Sequence, residues 1–252
     1  MQIKISAVII TFNEERNIER CLLSIKDIVD EIVVVDSYSK DATKSICEKY
    51  NVRFIEHPFD GHIEQKNWAK DQATNNYILS LDADEALDKD LQKSVLIAKN
   101  DWKYDSYKMN RLTNYCGKWI RHSGWYPDTK LRLFDRRKGE WGGSNPHDKY
   151  LPVEGAKIGY LKGDILHYSY YTRQEHLNQL EYFSEIASKD LYQKGKKATY
   201  FKLILNPIAS FIKAYFLKMG FLDGLAGFHI SRLAAYSNYL KYLKLIHLSK
   251  KN

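Results

Sequence analysis

The sequence predicts an α/β fold: a mostly parallel sheet flanked by helices, followed by a C-terminal helical appendage. Four short apolar runs punctuate the first third of the chain, and their continuity is typical of strands buried on both faces. They are "AVII" at 7–10, "IVVV" at 32–35, "VRFI" at 52–55 and "YILSL" at 77–81. Helical segments separate these strands, which indicates right-handed crossovers. From about Arg173 the pattern is helical.

Each intervening segment has its own helix signal. Ile18, Leu22 and Ile25 recur at the spacing of one helix face. A second helix is predicted from Asp41 to Tyr50 and a third from Ile63 to Ala73. Asp88 is placed to cap a fourth helix, "KDLQKSVLIA".

The charge is concentrated at the C-terminal end. The 252 residues carry a formal net charge of +8. Residues 192–252 contain eleven Lys or Arg and one acid, so they contribute +10 and the rest about −2. This distribution does not favour nucleic-acid binding by the whole protein.

Cysteine usage and the first residues predict a cytoplasmic protein. The three cysteines form no C-x-x-C pair, and two of them fall on helical segments, which indicates buried thiols in a reducing compartment. "MQIKISAVIITFNEE" is interpreted as the first core strand and not as a signal peptide.

Polar residues follow three of the predicted strands. Asn13 and Glu15 come after the first, Asp36 ends the second, and Asp82 and Asp84 end the fourth. Ligands of a parallel sheet bind beyond the carboxyl ends of its strands, so these side chains are expected to converge at one edge.

The D-x-D of "YILSLDADEAL" admits several interpretations. A calcium loop starting at Asp82 would need Gly and Glu where Leu87 and Lys93 stand. A dinucleotide site would need a G-x-G-x-x-G after the first strand, which is absent from the sequence. The remaining interpretation is a divalent cation that bridges the carboxylates to a diphosphate and neutralises its charge on departure.

Four stretches carry a resemblance to a known family: "AVIITFNEERNIERCLLSI", "EIVVVDSYSKDAT", "GHIEQKNWA" and "LSLDADE". Together they resemble family-2 glycosyltransferases with the GT-A fold, and among these the bacterial lipopolysaccharide-core glucosyltransferase-like proteins. The resemblance implies inverting transfer of a hexose from a nucleoside-diphosphate sugar, a UDP-sugar by expectation, to a cell-envelope glycan or lipid-linked acceptor. It also implies a GT-A catalytic domain over 1–172, divided into a nucleotide-sugar part at 1–99 and an acceptor part at 100–172, with a helical region at 173–252.

Donor and metal roles are carried over by the same resemblance. A divalent ion, Mn²⁺ or Mg²⁺, is expected at Asp82 and Asp84, with His147 or His167 completing its shell. Several of these residues have structural alternatives: a turn for Asp36, a helix N-terminus for Glu15, a solvated helix lysine for Lys66 and a surface ion pair for Arg132. One departure is the turn "DSYSKDAT", where relatives have small or glycine residues at the positions of Tyr38 and Ala42. The predicted donor-binding residues are Asn13, Glu15, Asp36, Lys66, Asp82 and Arg132.

The inverting reaction needs a general base, and the resemblance places it at Asp148, where the family pattern usually reads His-Glu. Asp128 is the reserve candidate, and an ion pair with a lysine is the structural alternative for Asp148. Trp119, Trp125 and Trp141 suit stacking on an acceptor sugar, although buried aromatics usually belong to the core.

Two questions stay open at this point. Residues 203–217 are apolar but interrupted, which suits either an interfacial helix on the anionic inner face of the cytoplasmic membrane or a helix packed on the catalytic domain. The altered turn and the Asp at 148 also permit a sugar-nucleotide-binding protein without turnover, although the retained Asp36, Asp82, Asp84 and Asp148 argue against it. A transferase acting on a protein or soluble glycan is a further alternative. Nucleotidyl transfer is disfavoured because "TFNEERN" has no glycine.

Overall fold

The computed structural model describes residues 2–144 and 147–250, except for the side chains of Ser144 and His147. The strands, in chain order, are β1 Ile5–Thr11, β2 Glu31–Asp36, β3 Arg53–Glu56, β4 Tyr77–Asp82, β5 Glu85–Leu87, β6 Ser106–Tyr115, β7 Lys118–Ile120, β8 Asp128–Asp135, β9 Gly139–Ser144, β10 His147–Pro152 and β11 Ile158–Tyr170. The helices are α1 Ile18–Ile25, α2 Thr43–Cys47, α3 His62–Gln72, α4 Lys89–Asn100, α5 Arg173–Gln193, α6 Tyr200–Ile212 and α7 Gly224–Lys250. A π-helical turn at Lys213–Leu217 and a 3₁₀ turn at Gly220–Asp223 separate α6 from α7.

The predicted strands and helices of the first hundred residues are confirmed, with one helix shorter than expected. Asp88 caps α4 by accepting a hydrogen bond from the backbone N–H of Leu91 at 2.7 Å. Helix α2 begins only at Thr43, because Asp41 accepts from that residue's N–H at 3.0 Å in a turn that precedes the helix. After Cys47 the bonding tightens, with the N–H of Tyr50 bonded to the Cys47 carbonyl, so the regular helix ends early.

The sheet combines a parallel half with an antiparallel half. Its strand order is β3-β2-β1-β4-β8-β6-β11-β5, with β7 paired to β6. Strands β3, β2, β1 and β4 run parallel, as the helical connections between them predict. Strand β8 joins β4 antiparallel, and β9 and β10 form a separate hairpin-like pair. The predicted α/β class is confirmed.

Both faces of the parallel half are covered, which explains why its strands are continuously apolar. On β1, Ile5 and Ile9 pack in one cluster with Leu22 of α1. Val8 points to the opposite face, into a second cluster that includes Ala69 of α3. The sheet is thereby fixed between two helical layers, and its carboxyl edge is left for polar residues.

The chain divides into two compact units. The first comprises Met1–Arg111 and Asp128–Tyr168, and the second comprises Leu112–Pro127 and Ser169–Asn252. The second unit consists largely of α5, α6 and α7, and α5 begins with a capping box between Thr172 and Glu175. None of the helices in the described ranges is long and apolar enough to cross a bilayer. The functional division at residue 172 remains a prediction.

Candidate active site

The strand register brings the predicted acids to one edge of the first unit. Ile10 and Thr11 of β1 lie opposite Asp82 of β4 and Asp36 of β2, respectively. The three strands therefore end at the same level, with a carboxylate on either side of β1. This is the convergence that the sequence predicts.

Asp36 organises the loop that follows β2. The side chain is buried, and its carboxylate accepts hydrogen bonds from the backbone N–H and the hydroxyl of Ser39. The Ser39 hydroxyl oxygen in turn accepts from the backbone N–H of Asn13 at 2.7 Å. Tyr38, one of the departures from the family turn, adopts φ 62°, a conformation that usually favours glycine. The turn is thus formed despite the substitution.

Asn13 and Glu15 fix the same loop from the other side. The Asn13 side-chain oxygen accepts from the Lys40 N–H at 2.8 Å, and a Glu15 carboxylate oxygen accepts from the Ala42 N–H at 2.9 Å. Both residues are positioned beside Asp36, and their part in donor binding remains a prediction.

Lys66 of α3 connects the predicted base Asp148 with Asp82 of the D-x-D. Its ammonium is buried, with Nζ 2.9 Å from Oδ1 of Asp82 and 2.8 Å from Oδ2 of Asp148. The contact to Asp148 has hydrogen-bond geometry, whereas the contact to Asp82 is an ion pair without it. The solvated-lysine alternative is excluded by this burial. The ion-pair alternative for Asp148 is the arrangement observed, and it joins that residue to the D-x-D.

Arg132 of β8 is a second buried cation at Asp82. One terminal nitrogen donates to Oδ2 of Asp82 at 2.8 Å and to Oε1 of Glu85 at 3.1 Å. Burial alone would raise the pKa of the Asp82 carboxyl, but the charges of Arg132 and Lys66 outweigh it and hold that pKa well below its usual range. Asp82 is therefore ionised and neutralised by protein cations. The other terminal nitrogen of Arg132 is buried and has no hydrogen-bond partner within the described part of the chain.

Glu85, to which the sequence prediction gave no role, is a further carboxylate in contact with Asp82 and Arg132. It is buried, accepts from the Asp82 backbone N–H at 3.0 Å and lies 3.3 Å from Arg111. The signal available in the sequence is that Ala83 and Leu87, two positions away on either side, are apolar, so a solvated acid is not expected on that face of a strand.

Asp128, the reserve base, is held by different cations. Arg111 contacts one of its oxygens with two nitrogens, at 2.9 and 2.7 Å, and Lys130 lies 3.0 Å from the other. Burial raises the pKa of Asp128, but Arg111 and Lys130 outweigh that effect and lower it. Among the described residues, Asp128 is connected to Asp82 only indirectly, through Arg111 and Glu85.

Asp84 and His167 form the pair best suited to a divalent cation. Oδ2 of Asp84 lies 3.1 Å from Nε2 of His167, and the Asp84 carbonyl accepts from the Tyr168 N–H. Adjacent ligands of an octahedral cation at about 2.1 Å lie roughly 3 Å apart, so this pair fits Mg²⁺ or Mn²⁺. Within the described residues no group of three or more His, Cys, Asp or Glu converges as a metal site. The His147 side chain, the other predicted ligand, lies outside the described residues.

The predicted acceptor tryptophans have different surroundings. Trp141 is buried in the first unit, where its ring faces the Lys66 ammonium at 4.7 Å and its indole N–H has no partner within the described residues. Trp125 packs in the second unit against Tyr115. Trp119 lies on β7. Sugar stacking by any of them remains a prediction.

Glu14 is a further acid that the sequence prediction left without a catalytic or binding role. Burial raises its pKa to about 7, and the nearby charges of Asp84, Asp41 and Asp82 add to the shift, against a hydrogen bond from Asn17 that lowers it. Its position directly after β1, beside the predicted donor residues, was the available signal.

Comparisons with known proteins identify the family of the chain. The sequence profile of the family described as glycosyl transferase family 2 matches residues 6–151. An uncharacterized glycosyltransferase of Rickettsia typhi is 33% identical over 99% of this chain and 89% of its own length. The chain therefore belongs to glycosyltransferase family 2, and it is a glycosyltransferase.

Two further similarities are more distant. The lipopolysaccharide core biosynthesis glycosyltransferase LpsC of Rhizobium meliloti is 28% identical over 97% of this chain and 92% of its own length. Among solved structures, Staphylococcus aureus TarS residues 1–349 in complex with UDP-GlcNAc aligns with a TM-score of 0.49 and 15% identity, over 99% of this chain and 92% of that one.

Proposed function

We propose that the protein transfers a hexose from a UDP-sugar, with inversion at the anomeric carbon, to a hydroxyl of a cell-envelope glycan or lipid-linked acceptor. Family membership supports the class of reaction. The similarity to a lipopolysaccharide core glycosyltransferase supports the class of acceptor. The proposal places the reaction at the cytoplasmic face of the membrane, the compartment that the buried thiols of Cys21 and Cys47 favour.

The observation that carries the proposal is the Lys66 ammonium between Asp82 and Asp148. These carboxylates are 66 residues apart in the chain, yet one buried cation contacts both within 2.9 Å. A general base must lie next to the donor site, because the acceptor hydroxyl attacks the anomeric carbon as the diphosphate leaves. Asp148 shares the Lys66 ammonium with Asp82, whereas Asp128 is connected to Asp82, in the described part of the chain, only through Arg111 and Glu85, which supports Asp148 as the base.

In the proposed reaction the acceptor oxygen forms a bond to the anomeric carbon on the face opposite the diphosphate. The bond between that carbon and the diphosphate oxygen breaks, its electron pair leaves with UDP, and the hydroxyl proton moves to a carboxylate oxygen of Asp148. Lys66 holds Asp148 in position for this transfer. Arg132 donates to Asp82 with one terminal nitrogen, while the other has no hydrogen-bond partner among the described residues; Arg132 is therefore proposed to bind the donor.

A divalent cation would be held by Asp84 and His167, and not by Asp82, whose charge is already balanced. When bound, such a cation neutralises negative charge on the leaving diphosphate. Asp36, Asn13 and Glu15 are proposed to present the loop after β2 to the nucleoside.

Donor and stereochemical assays test the proposal together. Hydrolysis of UDP- and GDP-sugars should be screened with and without manganese, and the anomeric configuration of the product should be read from its NMR coupling constants. We expect activity with UDP-sugars and an inverted product. UDP binding without hydrolysis or transfer would favour a binding protein, and a retained configuration would contradict the role of Asp148.

A further inference from the structure

The second unit exposes a concentration of large apolar side chains between residues 200 and 228. Three of them are more than two-thirds exposed: Phe201 at 71%, Leu217 at 73% and Leu225 at 76%. Isolated exposed apolar residues are normal, but a contiguous group this large marks an interaction surface. The exposed members are Tyr200, Phe201, Ile204, Leu205, Ile208, Ile212, Phe216, Leu217, Met219, Phe221, Leu222, Leu225 and Phe228.

These side chains belong to one continuous surface, here called the apolar surface. On α6, Phe201, Ile204, Ile208 and Ile212 recur every three or four residues, so they occupy one helix face. Ring contacts then link the end of α6 through the two turns to the start of α7. Phe211 and Tyr215 contact each other, and each also contacts Phe216 and Phe228, with ring centroids 5.2–6.4 Å apart. Tyr215 contacts Phe221 at 6.3 Å as well.

Exposed lysines lie among the apolar residues of 200–228, and no exposed acid lies within that stretch. Lys202, Lys213 and Lys218 alternate with the apolar residues along the chain and are exposed. The single acid between 192 and 252 is Asp223, which is buried. Its carboxylate accepts from the His122 backbone N–H at 2.9 Å and contacts the His122 ring at 3.1 Å, so it does not neutralise the lysines.

We propose that the apolar surface is a membrane-binding surface that inserts into the headgroup region of an anionic bilayer. Apolar side chains enter the acyl boundary while lysines on long stems reach the lipid phosphates. A second copy of the chain fits less well, because each copy would present the same exposed lysines to the other. This inference goes beyond the proposed function, since attachment requires neither donor nor turnover.

Attachment through this surface would combine two contributions. Each lysine near an anionic bilayer adds an electrostatic attraction that salt weakens. Each inserted apolar side chain adds a hydrophobic contribution to the binding free energy that salt does not weaken. Binding is therefore expected to be reversible, stronger on anionic than on neutral lipid, and reduced without being abolished by salt.

Vesicle sedimentation of the full chain tests the inference. The vesicles are phosphatidylcholine alone, or phosphatidylcholine with one part in three of phosphatidylglycerol, at low and at physiological salt. We expect wild type to bind the anionic vesicles. The triple variant F201S/L217S/L225S should bind them with a partition coefficient lower by about tenfold or more. Because these side chains are already exposed, the variant should keep the wild-type unfolding midpoint.

Two controls distinguish binding through the apolar surface from non-specific adsorption to vesicles. Ile97→Ser replaces a comparably exposed apolar residue of the first unit, at 68%, and should leave partition unchanged. Charge reversal at Lys202, Lys213 and Lys218 should weaken binding to anionic vesicles and remove its salt dependence.

Three results would overturn the inference. They are no binding to anionic vesicles at low salt, an equal loss in Ile97→Ser, and a dimer in sedimentation velocity that the triple variant dissociates. UDP binding measured on the same variants distinguishes this failure from a failure of the proposed function.

Discussion

Replacing Lys66 with methionine, which keeps most of the side-chain volume and removes the charge, should destabilise the protein substantially. Removing one partner of a buried ion pair typically costs about 3–5 kcal/mol, because the other charge is left uncompensated. Asp82 keeps Arg132 as a partner and its side chain is 27% exposed, whereas Asp148 loses its ammonium contact at 2.8 Å. We therefore expect about 3 kcal/mol, the low end of that range.

The loss should depend on pH with a defined sign. The pKa of Asp82 is held below its usual range in the folded protein, so its charge stabilises the fold above about pH 4 and less as pH falls further. Lys66→Met weakens this effect. The difference in unfolding free energy between wild type and variant should therefore shrink by about 1 kcal/mol between pH 7 and pH 3.

Urea unfolding followed by tryptophan fluorescence measures both quantities. Lys70→Met, on the same helix, is the matched control, since its partner Asp71 is 67% exposed and the contact is 3.6 Å long. It should cost less than about 1 kcal/mol. Adding Asp148→Asn to Lys66→Met should recover part of the loss, because the uncompensated charge is removed with its partner. Equal losses for Lys66→Met and Lys70→Met would refute the bridge between Asp82 and Asp148.

Three further outcomes follow from individual sites. Burial lowers the pKa of His176 to about 4, so as pH falls the unfolded chain binds a proton before the folded protein does. The unfolding free energy of wild type should therefore fall by up to about 3 kcal/mol between pH 6.5 and pH 4, and that of His176→Gln should not show this fall. Gly163→Ala should destabilise the fold by about 2 kcal/mol or more, because φ is +107° and an added Cβ would lie 2.2 Å from the backbone nitrogen of Leu91. Gly155→Ala, at φ +78° but with open space around the added Cβ, should cost less. Thermal unfolding compares the two variants. Calorimetry should show UDP binding that manganese strengthens in wild type but not in Asp84→Ala, and equal strengthening in both would contradict the metal assignment.

The strand-end convergence could be predicted from sequence because it depends on local patterns. Four apolar runs, the helices between them and the D-x-D at Asp82 each leave a short-range signal, and the parallel connection rule places their ends together. The bridge through Lys66 leaves no such signal. It depends on the antiparallel strands after residue 100 returning Asp148 to α3, and neither spacing nor periodicity encodes that pairing.

The aromatic residues illustrate a second limit. Trp119, Trp125 and Trp141 share a composition signal, but only the packing distinguishes Trp141, buried beside Lys66, from the other two. Glu85 was overlooked for the related reason that its importance arises from two arginines, at 111 and 132, that are distant in sequence. The C-terminal segment, residues 192–252, is the converse case. Its basic and apolar composition is evident from the sequence, whereas the exposure of Leu217 and Leu225 can be seen only in the structure.

The central claim is that Asp148 takes the proton of the acceptor hydroxyl. The most direct measurement is the single-turnover rate of sugar transfer by Asp148→Asn and Asp128→Asn, with UDP affinity measured on the same preparations. We predict that Asp148→Asn lowers the rate by about a hundredfold or more, the usual contribution of a general base, while UDP affinity stays near that of wild type. Normal transfer by Asp148→Asn, together with its loss in Asp128→Asn, would contradict the claim and move the base to Asp128.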